Sequence, residues 1–194
     1  MADEPKGGFI RRTWSRLSRP SARWSVLSLL VLGVVVGFVA TAGTQVMVEL
    51  TGTNAFCGGA CHSMQWVAKE HAASGHHVNR TGVQAGCHDC HIPKHYPYVL
   101  WYKAKAGTKD VIQEIRGVIS TEAQFKKERL RMARVVWDEY KENKSQACRN
   151  CHRFSAEVLA KQKEFVRPMH AQVLEGTATC IDCHKGIAHT APEE

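Results

Sequence analysis

The chain has 194 residues, which is enough for one modest domain and an anchoring segment. Its formal net charge is +8, and six of the basic side chains lie within residues 1–23, against two acidic ones. The remaining charge is spread thinly, without a basic stripe interleaved with aromatic residues, which argues against a nucleic-acid-binding protein.

An apolar segment follows this basic N-terminus. Residues 26–48 form a run of 23 residues without a charged side chain. A helix of that length spans roughly 34 Å, which is enough for the hydrocarbon core of a bilayer. The positive-inside rule then places residues 1–23 in the cytoplasm and residues 51–194 on the outer side of the membrane.

A cleaved signal peptide is the alternative for this segment. Residues 40–42, Ala-Thr-Ala, fit the small-residue cleavage pattern, but the run stays apolar to residue 48. We therefore predict a retained transmembrane anchor over residues 24–50, with the lipid bilayer as a partner. Gly33 and Gly37 have a spacing that permits close pairing of such helices, so a homodimer is allowed.

All eight cysteines lie in four short motifs that each end in a histidine. Three motifs have the form Cys-x-x-Cys-His, and the first has one extra residue between its cysteines. This is the attachment sequence for c-type haem, in which two thiols bond the porphyrin and the histidine ligates iron. Four such motifs argue against a zinc or disulfide framework, so we predict four covalently bound haems c. The cysteines are Cys57 and Cys61, Cys87 and Cys90, Cys148 and Cys151, and Cys180 and Cys183.

The motifs fall into two pairs that a long helical segment separates. Thr121-x-x-Gln124 is a capping box and predicts a helix from about residue 122 to residue 143. A second helix should follow Pro97, although Gly107 could interrupt it. No alternating strand pattern is present. We predict a mainly α fold with extensive loops, in which one N-terminal transmembrane helix carries a small periplasmic multihaem domain of two dihaem modules.

Low-spin c-type haem takes two axial ligands, and the histidine of the motif supplies one of them. Several free histidines compete for the distal positions. His76 and His170 occupy corresponding places before the second and fourth motifs, and His189 follows the last motif. His77 is the neighbouring alternative to His76. The motif histidines expected to bind iron are His91, His152 and His184.

Three other histidines are not expected to be ligands. His88 lies inside the second motif and should point to solvent, while His71 and His95 are expected at surface or structural positions.

The first motif has a second candidate ligand. Met64 follows His62 by two residues, and a thioether is a known haem ligand that raises the reduction potential. The extra residue displaces His62 from the usual geometry, which is easier to tolerate if His62 does not reach iron. A buried methionine without a ligand role is the alternative. The residues alone do not decide whether His62 or Met64 is the iron ligand.

With these motifs the chain resembles the NapC/NirT family of membrane-anchored tetrahaem quinol dehydrogenases. The resemblance is carried by the anchor, by residues 56–64, by His76 with residues 79–83, and by residues 180–189. It implies oxidation of membrane quinol (menaquinol or ubiquinol) at the outer surface of the bacterial inner membrane. Electrons would pass to a soluble cytochrome or a periplasmic reductase of nitrate, nitrite, dimethyl sulfoxide or trimethylamine N-oxide.

The same resemblance implies roles for particular residues. Met64 would ligate the first haem, which would be high-spin and close to the quinol, and His189 would serve the second. Lys103 and Asp110 match a lysine and an acid that line the family's quinol site, where the lysine hydrogen-bonds quinol and the acid takes its proton. Two ordinary surface charges are the alternative. His76 and His170 would serve the third and fourth haems in an order that the sequence does not give.

Four other functions compete with quinol oxidation. One is a purely structural or sensory haem protein, which four haems in one small chain make uneconomical. The chain could be the dedicated haem subunit of a nitrite reductase complex, or a membrane-tethered shuttle without its own quinol site. A haem-based reductase is the fourth, although no Cys-x-x-Cys-Lys variant of the attachment motif is present.

Overall fold

A computed structural model describes residues 8–17 and 24–193 of the chain. The described residues contain helices and loops but no strand, which confirms the mainly α prediction. The helices are α1 (Phe9–Leu17), α2 (Val26–Leu50), α3 (Asn54–Gly59), α4 (Gln65–Ala72), α5 (Cys87–His91), α6 (Tyr98–Ile115), α7 (Glu122–Glu142), α8 (Gln146–Arg149), α9 (Ala156–Ala160), α10 (Arg167–Glu175) and α11 (Cys180–Cys183), with 3₁₀ turns at His62–Met64 and Glu164–Val166.

The chain divides into two units, with the boundary between residues 47 and 48. The first unit contains α1 and most of α2, and parts of the predicted cytoplasmic segment, residues 1–7 and 18–23, lie outside the described residues. Residues 27–50 are long and apolar enough to cross a membrane, by length and composition. The hydroxyls of Thr41 and Thr44 donate to carbonyls one turn back at 2.8 Å, so these polar groups are satisfied within the helix.

The second unit is organised around two long helices. α6 begins after Pro97 and runs unbroken through Gly107, so the interruption that glycine could have caused is not observed. α7 begins at the predicted capping box, where Thr121 Oγ1 accepts from Gln124 N and Thr121 N donates to Gln124 Oε1. Asn143 caps α7, and Lys144 and Ser145 then turn the chain with positive φ angles. Both helices predicted from the sequence are therefore confirmed.

Apolar packing within the described chain is limited. Trp66 of α4 stacks on Phe125 of α7 at 5.3 Å, and the guanidinium of Arg129 lies over the same ring at 5.1 Å. Polar contacts also join the short helices that carry the attachment motifs. The buried apolar side chains are Val99, Phe125, Tyr140, Val173 and Ile181.

Candidate functional site

Three of the four attachment motifs are each wound on one helical turn, at α5, α8 and α11. In the third motif His152 N donates to Cys148 O at 2.9 Å, and in the fourth His184 N donates to Cys180 O at 2.9 Å. Residues three and four apart in a helix lie on one face, so both thiols and the imidazole can address the same flat group. This geometry suits covalent attachment of haem beside its iron ligand.

The first motif has a different backbone. Cys57 lies in α3, but the helix ends at Gly59, and Cys61 is extended with φ −119° and ψ 125°. His62 N then donates to Glu114 Oε1 on α6 at 2.9 Å instead of closing a helical turn. The extra residue therefore separates the histidine from the helix that carries the first cysteine.

Glu114 holds this segment through three groups. Besides His62 N, the ring nitrogen Nδ1 of His62 contacts the carboxylate, and Ser63 Oγ donates to Glu114 Oε2 at 2.5 Å. The hydrogen bond from Ser63 is the largest of several contacts that lower the pKa of Glu114. Met64, the other candidate ligand of this motif, is 40% exposed.

Each of the other motif histidines faces a second histidine ring. The ring centres lie 6.3 Å apart for His91 and His189, 6.3 Å for His76 and His152, and 6.1 Å for His170 and His184. Two metal–nitrogen bonds of about 2 Å, with about 1.1 Å from each nitrogen to its ring centre, give roughly 6.2 Å across an iron atom. The residues present therefore fit haem iron held between two imidazoles.

The three predicted distal histidines differ in what their Nδ1 atoms contact. Nδ1 of His76 donates to the carbonyl of Ile187 at 3.3 Å, and Nδ1 of His170 donates to Gln162 Oε1 at 2.5 Å. A proton on Nδ1 leaves the lone pair on Nε2, the state that a metal requires. Nδ1 of His189 is buried and has no hydrogen-bond partner among the described residues.

The other histidines lie elsewhere, as predicted for three of them. His71 is 7% exposed, and its Nε2 contacts the carbonyl of Ala85 at 2.8 Å, which is a structural role. His88 and His95 are exposed. The ring of His77 lies 5.2 Å from that of His71, which is not a motif histidine.

An ion pair holds the residue that follows His189. Arg129 of α7 donates to both oxygens of Glu70 on α4, at 2.7 and 2.6 Å. Thr190 N donates to Glu70 Oε2 at 3.1 Å, and Arg129 Nε donates to Thr190 O at 3.1 Å. The C-terminal tail is thereby fixed between two helices. No local sequence signal marks Glu70 or Arg129 for this role.

Polar side chains also join the motifs in pairs. Asn54, three residues before the first cysteine, accepts from Cys87 N of the second motif at 2.8 Å. Ser145, three residues before Cys148, is fully buried and accepts from Ile181 N of the fourth motif at 3.3 Å. A similar contact is thus found in both pairs, to the first cysteine of the second motif and to the residue after the first cysteine of the fourth, in keeping with two modules. The common offset from the cysteines is a signal that the sequence analysis missed.

Lys103 and Asp110 lie on one face of the unbroken α6. The ammonium of Lys103 donates to Thr51 Oγ1 at 2.9 Å, and burial lowers its pKa, with the Cys57 thiol opposing that change. Partial desolvation raises the pKa of Asp110, although the residue is still exposed to solvent, and Lys109 opposes the change to a smaller extent.

This face of α6 runs along the first attachment motif. A hydrogen bond with Cys87 lowers the pKa of the Cys57 thiol, burial opposes this change, and the nearby charge of Lys103 lowers the pKa further. Burial raises the pKa of Cys61, and the charges of Glu114 and Asp110 raise it further. Both predicted quinol residues therefore lie beside the one motif whose histidine faces no second histidine ring among the described residues.

Comparison with known proteins finds matches over nearly the whole chain. The family model for the NapC/NirT cytochrome c family, N-terminal region, matches residues 19–194. The chain is 41% identical over 185 residues to the cytochrome c-type protein TorC of Escherichia coli K12, covering 95% of this chain and 47% of TorC, about half the length of that relative. It is 41% identical over 189 residues to the cytochrome c-type protein NapC of the same strain, covering 97% of this chain and 93% of NapC.

A solved structure is also similar. It is the crystal structure of the cytochrome c nitrite reductase NrfHA complex bound to the HQNO inhibitor, with 25% sequence identity and a TM-score of 0.50. The alignment covers 84% of this chain and 90% of the matched chain.

Proposed function

The chain belongs to the NapC/NirT cytochrome c family, and we propose that it is a four-haem protein that oxidises membrane quinol and passes the electrons to a periplasmic reductase. Membership of the family makes it a cytochrome with covalently bound haem c. Three histidine pairs at an iron-sized separation, beside a first motif that has Lys103 and Asp110 in place of a second histidine, carry this proposal. Bound haem would supply one-electron chemistry.

The ring separations support a particular distribution of ligands. His189 would complete the site of His91, His76 that of His152, and His170 that of His184. Met64 would ligate the iron of the first haem. Each haem would be bonded by its two motif cysteines, which are Cys57 and Cys61, Cys87 and Cys90, Cys148 and Cys151, and Cys180 and Cys183.

Two of these pairings join different modules. His76 precedes the second motif but faces the third, and His189 follows the fourth motif but faces the second. Each module would therefore supply one iron ligand to the other, and the two could not separate without losing both ligands. This exchange favours a self-sufficient electron carrier over a subunit that needs a partner to complete its haem sites.

At the first site the side chains of α6 would handle the substrate. The ammonium of Lys103 has three donors, of which one is used by Thr51, so another can bind a quinol oxygen. The carboxylate of Asp110 can accept the proton that leaves quinol, and its raised pKa brings it closer to the pKa of a useful base at neutral pH. The two protons of quinol would leave one at a time as the electrons do.

We further propose a single membrane span, with the haem-binding unit in the periplasm of a bacterium. The apolar α2 and the basic residues before it support that orientation. Menaquinol and ubiquinol both fit the two polar contacts. The second candidate is the haem subunit of a nitrite reductase complex, which the similarity to the NrfHA structure favours.

Reduction by quinol tests the proposal directly. The full chain in detergent is mixed anaerobically with menaquinol or ubiquinol while the haem absorption bands are followed. Lys103→Ala and Asp110→Asn should each slow reduction by about tenfold or more, since a positioned proton acceptor contributes on the order of 100-fold. The matched controls are Lys105→Ala on α6 and Asp138→Asn on α7, both exposed. Full reduction by dithionite with none by either quinol would leave a tethered shuttle that another protein feeds.

The pH dependence sharpens this test. Asp110 must be deprotonated to accept a proton, so the reduction rate should fall as the pH falls through its pKa. Because that pKa is raised by partial desolvation, the acid limb should lie above the ordinary aspartate value of about 3.9. Asp110→Asn should remove the limb and Asp138→Asn should keep it. An unchanged limb in Asp110→Asn would mean that another group takes the proton.

A further inference from the structure

We propose that Glu114 determines the iron ligand of the first haem by holding His62 away from the metal. This inference rests on the proposed function, because it requires haem at the first motif with Met64 as its ligand. Glu114 is a positioning residue in this role, since it would act through His62 and need not touch the haem.

The contacts tie both the backbone and the ring of His62 to α6. Glu114 accepts from His62 N at 2.9 Å, contacts the ring at Nδ1, and accepts from Ser63 Oγ at 2.5 Å. The Glu114 side chain is 19% exposed and that of His62 is 51% exposed, and the contacts to the carboxylate are charge-assisted hydrogen bonds. Three bonds on two adjacent residues fix the direction in which the chain leaves Cys61.

The other motifs show what this carboxylate replaces. In the third and fourth motifs the N–H of the histidine closes a helical turn on the first cysteine, and the helix itself then orients the ring. In the first motif that N–H goes to Glu114, because the extra residue and the extended Cys61 break the turn. The direction of His62 therefore depends on a single side chain from another helix.

Competition between ligands makes this control necessary. Imidazole binds haem iron readily and lowers the reduction potential relative to a thioether. His62 is only two residues from Met64, so a mobile His62 could displace it. Histidine ligation at the first haem would lower its potential and make it a poorer acceptor for electrons from quinol.

A carboxylate on Nδ1 can also support a histidine that does bind a metal. The opposite arrangement is then that Glu114 orients His62 toward the iron. The two arrangements predict opposite effects when Glu114 is removed, so one variant separates them.

The experiment uses Glu114→Ala in the full chain in detergent, after intact mass has established the same number of attached haems as in the unaltered protein. In the resonance Raman spectrum of the reduced protein, a high-spin haem with a histidine ligand shows an iron–histidine stretch and one with a methionine ligand does not. A redox titration reports the potential of the first haem. We expect the iron–histidine stretch to appear, the potential of that haem to fall, and quinol reduction to slow by about tenfold. Glu122→Ala, which removes a carboxylate that is 62% exposed, is the matched control and should change none of these.

A double variant, His62→Ala with Glu114→Ala, then separates competition from misfolding. Without the competing imidazole, the iron–histidine stretch should be absent and the original potential should return. If the double variant does not attach the first haem, the ligand found in Glu114→Ala alone decides whether Glu114 keeps His62 from the iron.

Either of two results would overturn the inference. One is the absence of the iron–histidine stretch, with an unchanged potential, in Glu114→Ala, which would leave the proposed function intact. The other is an iron–histidine stretch at the first haem of the unaltered protein that is lost in Glu114→Ala, which would make His62 the ligand and Glu114 its support. Failure of the proposed function is recognised separately, by the absence of quinol reduction in the unaltered protein.

Discussion

The first attachment motif and the other three use the same residue types in two different ways. In the last three motifs a helical turn carries both cysteines, and the histidine faces a second histidine across an iron-sized gap. In the first motif the turn is broken, and the histidine is bound to a carboxylate of α6. One added residue is enough to change the direction of a potential metal ligand.

The difference corresponds to two tasks that an electron-transfer chain must combine. Two imidazoles saturate an iron and leave it no free position for a substrate, which suits haems that only pass electrons on. A site with one protein ligand, flanked by a lysine and an acid, suits the exchange of electrons and protons with quinol. Replacing a residue at a histidine-paired motif or at the first motif should give that site some properties of the other kind.

The largest effect should come from breaking a histidine pair. His189→Ala removes the ring that faces His91, so the second haem should become high-spin and the transfer of electrons from quinol to an added acceptor should slow by about 100-fold. Electron paramagnetic resonance reports the spin state, and stopped-flow absorption reports the transfer. His88→Ala, an exposed histidine inside the second motif, is the control and should change neither.

His77→Ala tests the competing assignment for the third haem. The ring of His76 lies 6.3 Å from that of His152, whereas the ring of His77 lies against His71. A low-spin third haem that survives in His76→Ala but is lost in His77→Ala would reverse the assignment.

The sequence predicts the local features of this molecule well. The capping box at Thr121 and the proline before α6 act within one or two turns, so they mark helix starts whatever the rest of the chain does. The cysteine motifs likewise need only neighbouring residues to be recognised. Each of these features was found in the expected place.

The pairing of the ligands could not be predicted in the same way. His76 and His170 occupy corresponding places in the sequence, yet His76 faces a motif of the other module and His170 faces one of its own. That difference depends on how distant segments pack. The same holds for Glu114 and Arg129, whose partners lie more than fifty residues away in the chain. The contacts within each pair of motifs have one local signal in the sequence, a polar residue three positions before the first cysteine. These residues are Asn54 and Ser145.

Breaking the ion pair between Arg129 and Glu70, which fixes the C-terminal tail, should also weaken the pair of His91 and His189, but by less than His189→Ala does. Arg129→Met keeps an apolar stem of similar size but leaves Glu70 unpaired, so it should reduce the free energy of unfolding by about 2 kcal/mol at neutral pH. Part of the second haem should become high-spin, because the tail that carries His189 is released. Lys126→Met breaks an exposed pair with Glu122 and should leave the free energy of unfolding nearly unchanged.

This contribution should depend on pH in a defined direction. Burial alone would raise the pKa of Glu70, but the hydrogen bonds from Arg129 and Thr190 outweigh it and lower the pKa overall. A carboxyl with a lowered pKa in the folded protein stabilises it fully above the ordinary glutamate value of about 4.3 and less as the pH falls below that. Chemical denaturation of the full chain against pH should therefore show a loss on acidification that Glu70→Gln lacks. The same loss in Glu70→Gln would assign it to other carboxyls.

The smallest effect should come from the glycines that shape the first motif. A Cβ atom on Gly58 would meet the Cβ of Ala68 on α4 at 2.8 Å, whereas a Cβ on Gly59 would meet nothing within 4 Å. Gly58→Ala should therefore force α3 away from α4 and cost about 1–2 kcal/mol after the gain in helix propensity. Gly59→Ala should be neutral or stabilising by up to about 1 kcal/mol, since it only reduces the freedom of the unfolded chain.

The same two glycine variants also test whether the first motif behaves independently of the other three. A shift of α3 moves Cys57 while α5, α8 and α11 keep their own turns, so Gly58→Ala should change the potential of the first haem and leave the histidine-paired haems as they were. Redox titration with spectral resolution of the four haems measures this, and Gly59→Ala sets the baseline. Equal changes in all four potentials would show that the first motif is not an independent unit, because the packing of α3 on α4 would then be transmitted through Asn54 and the second motif to the rest of the chain.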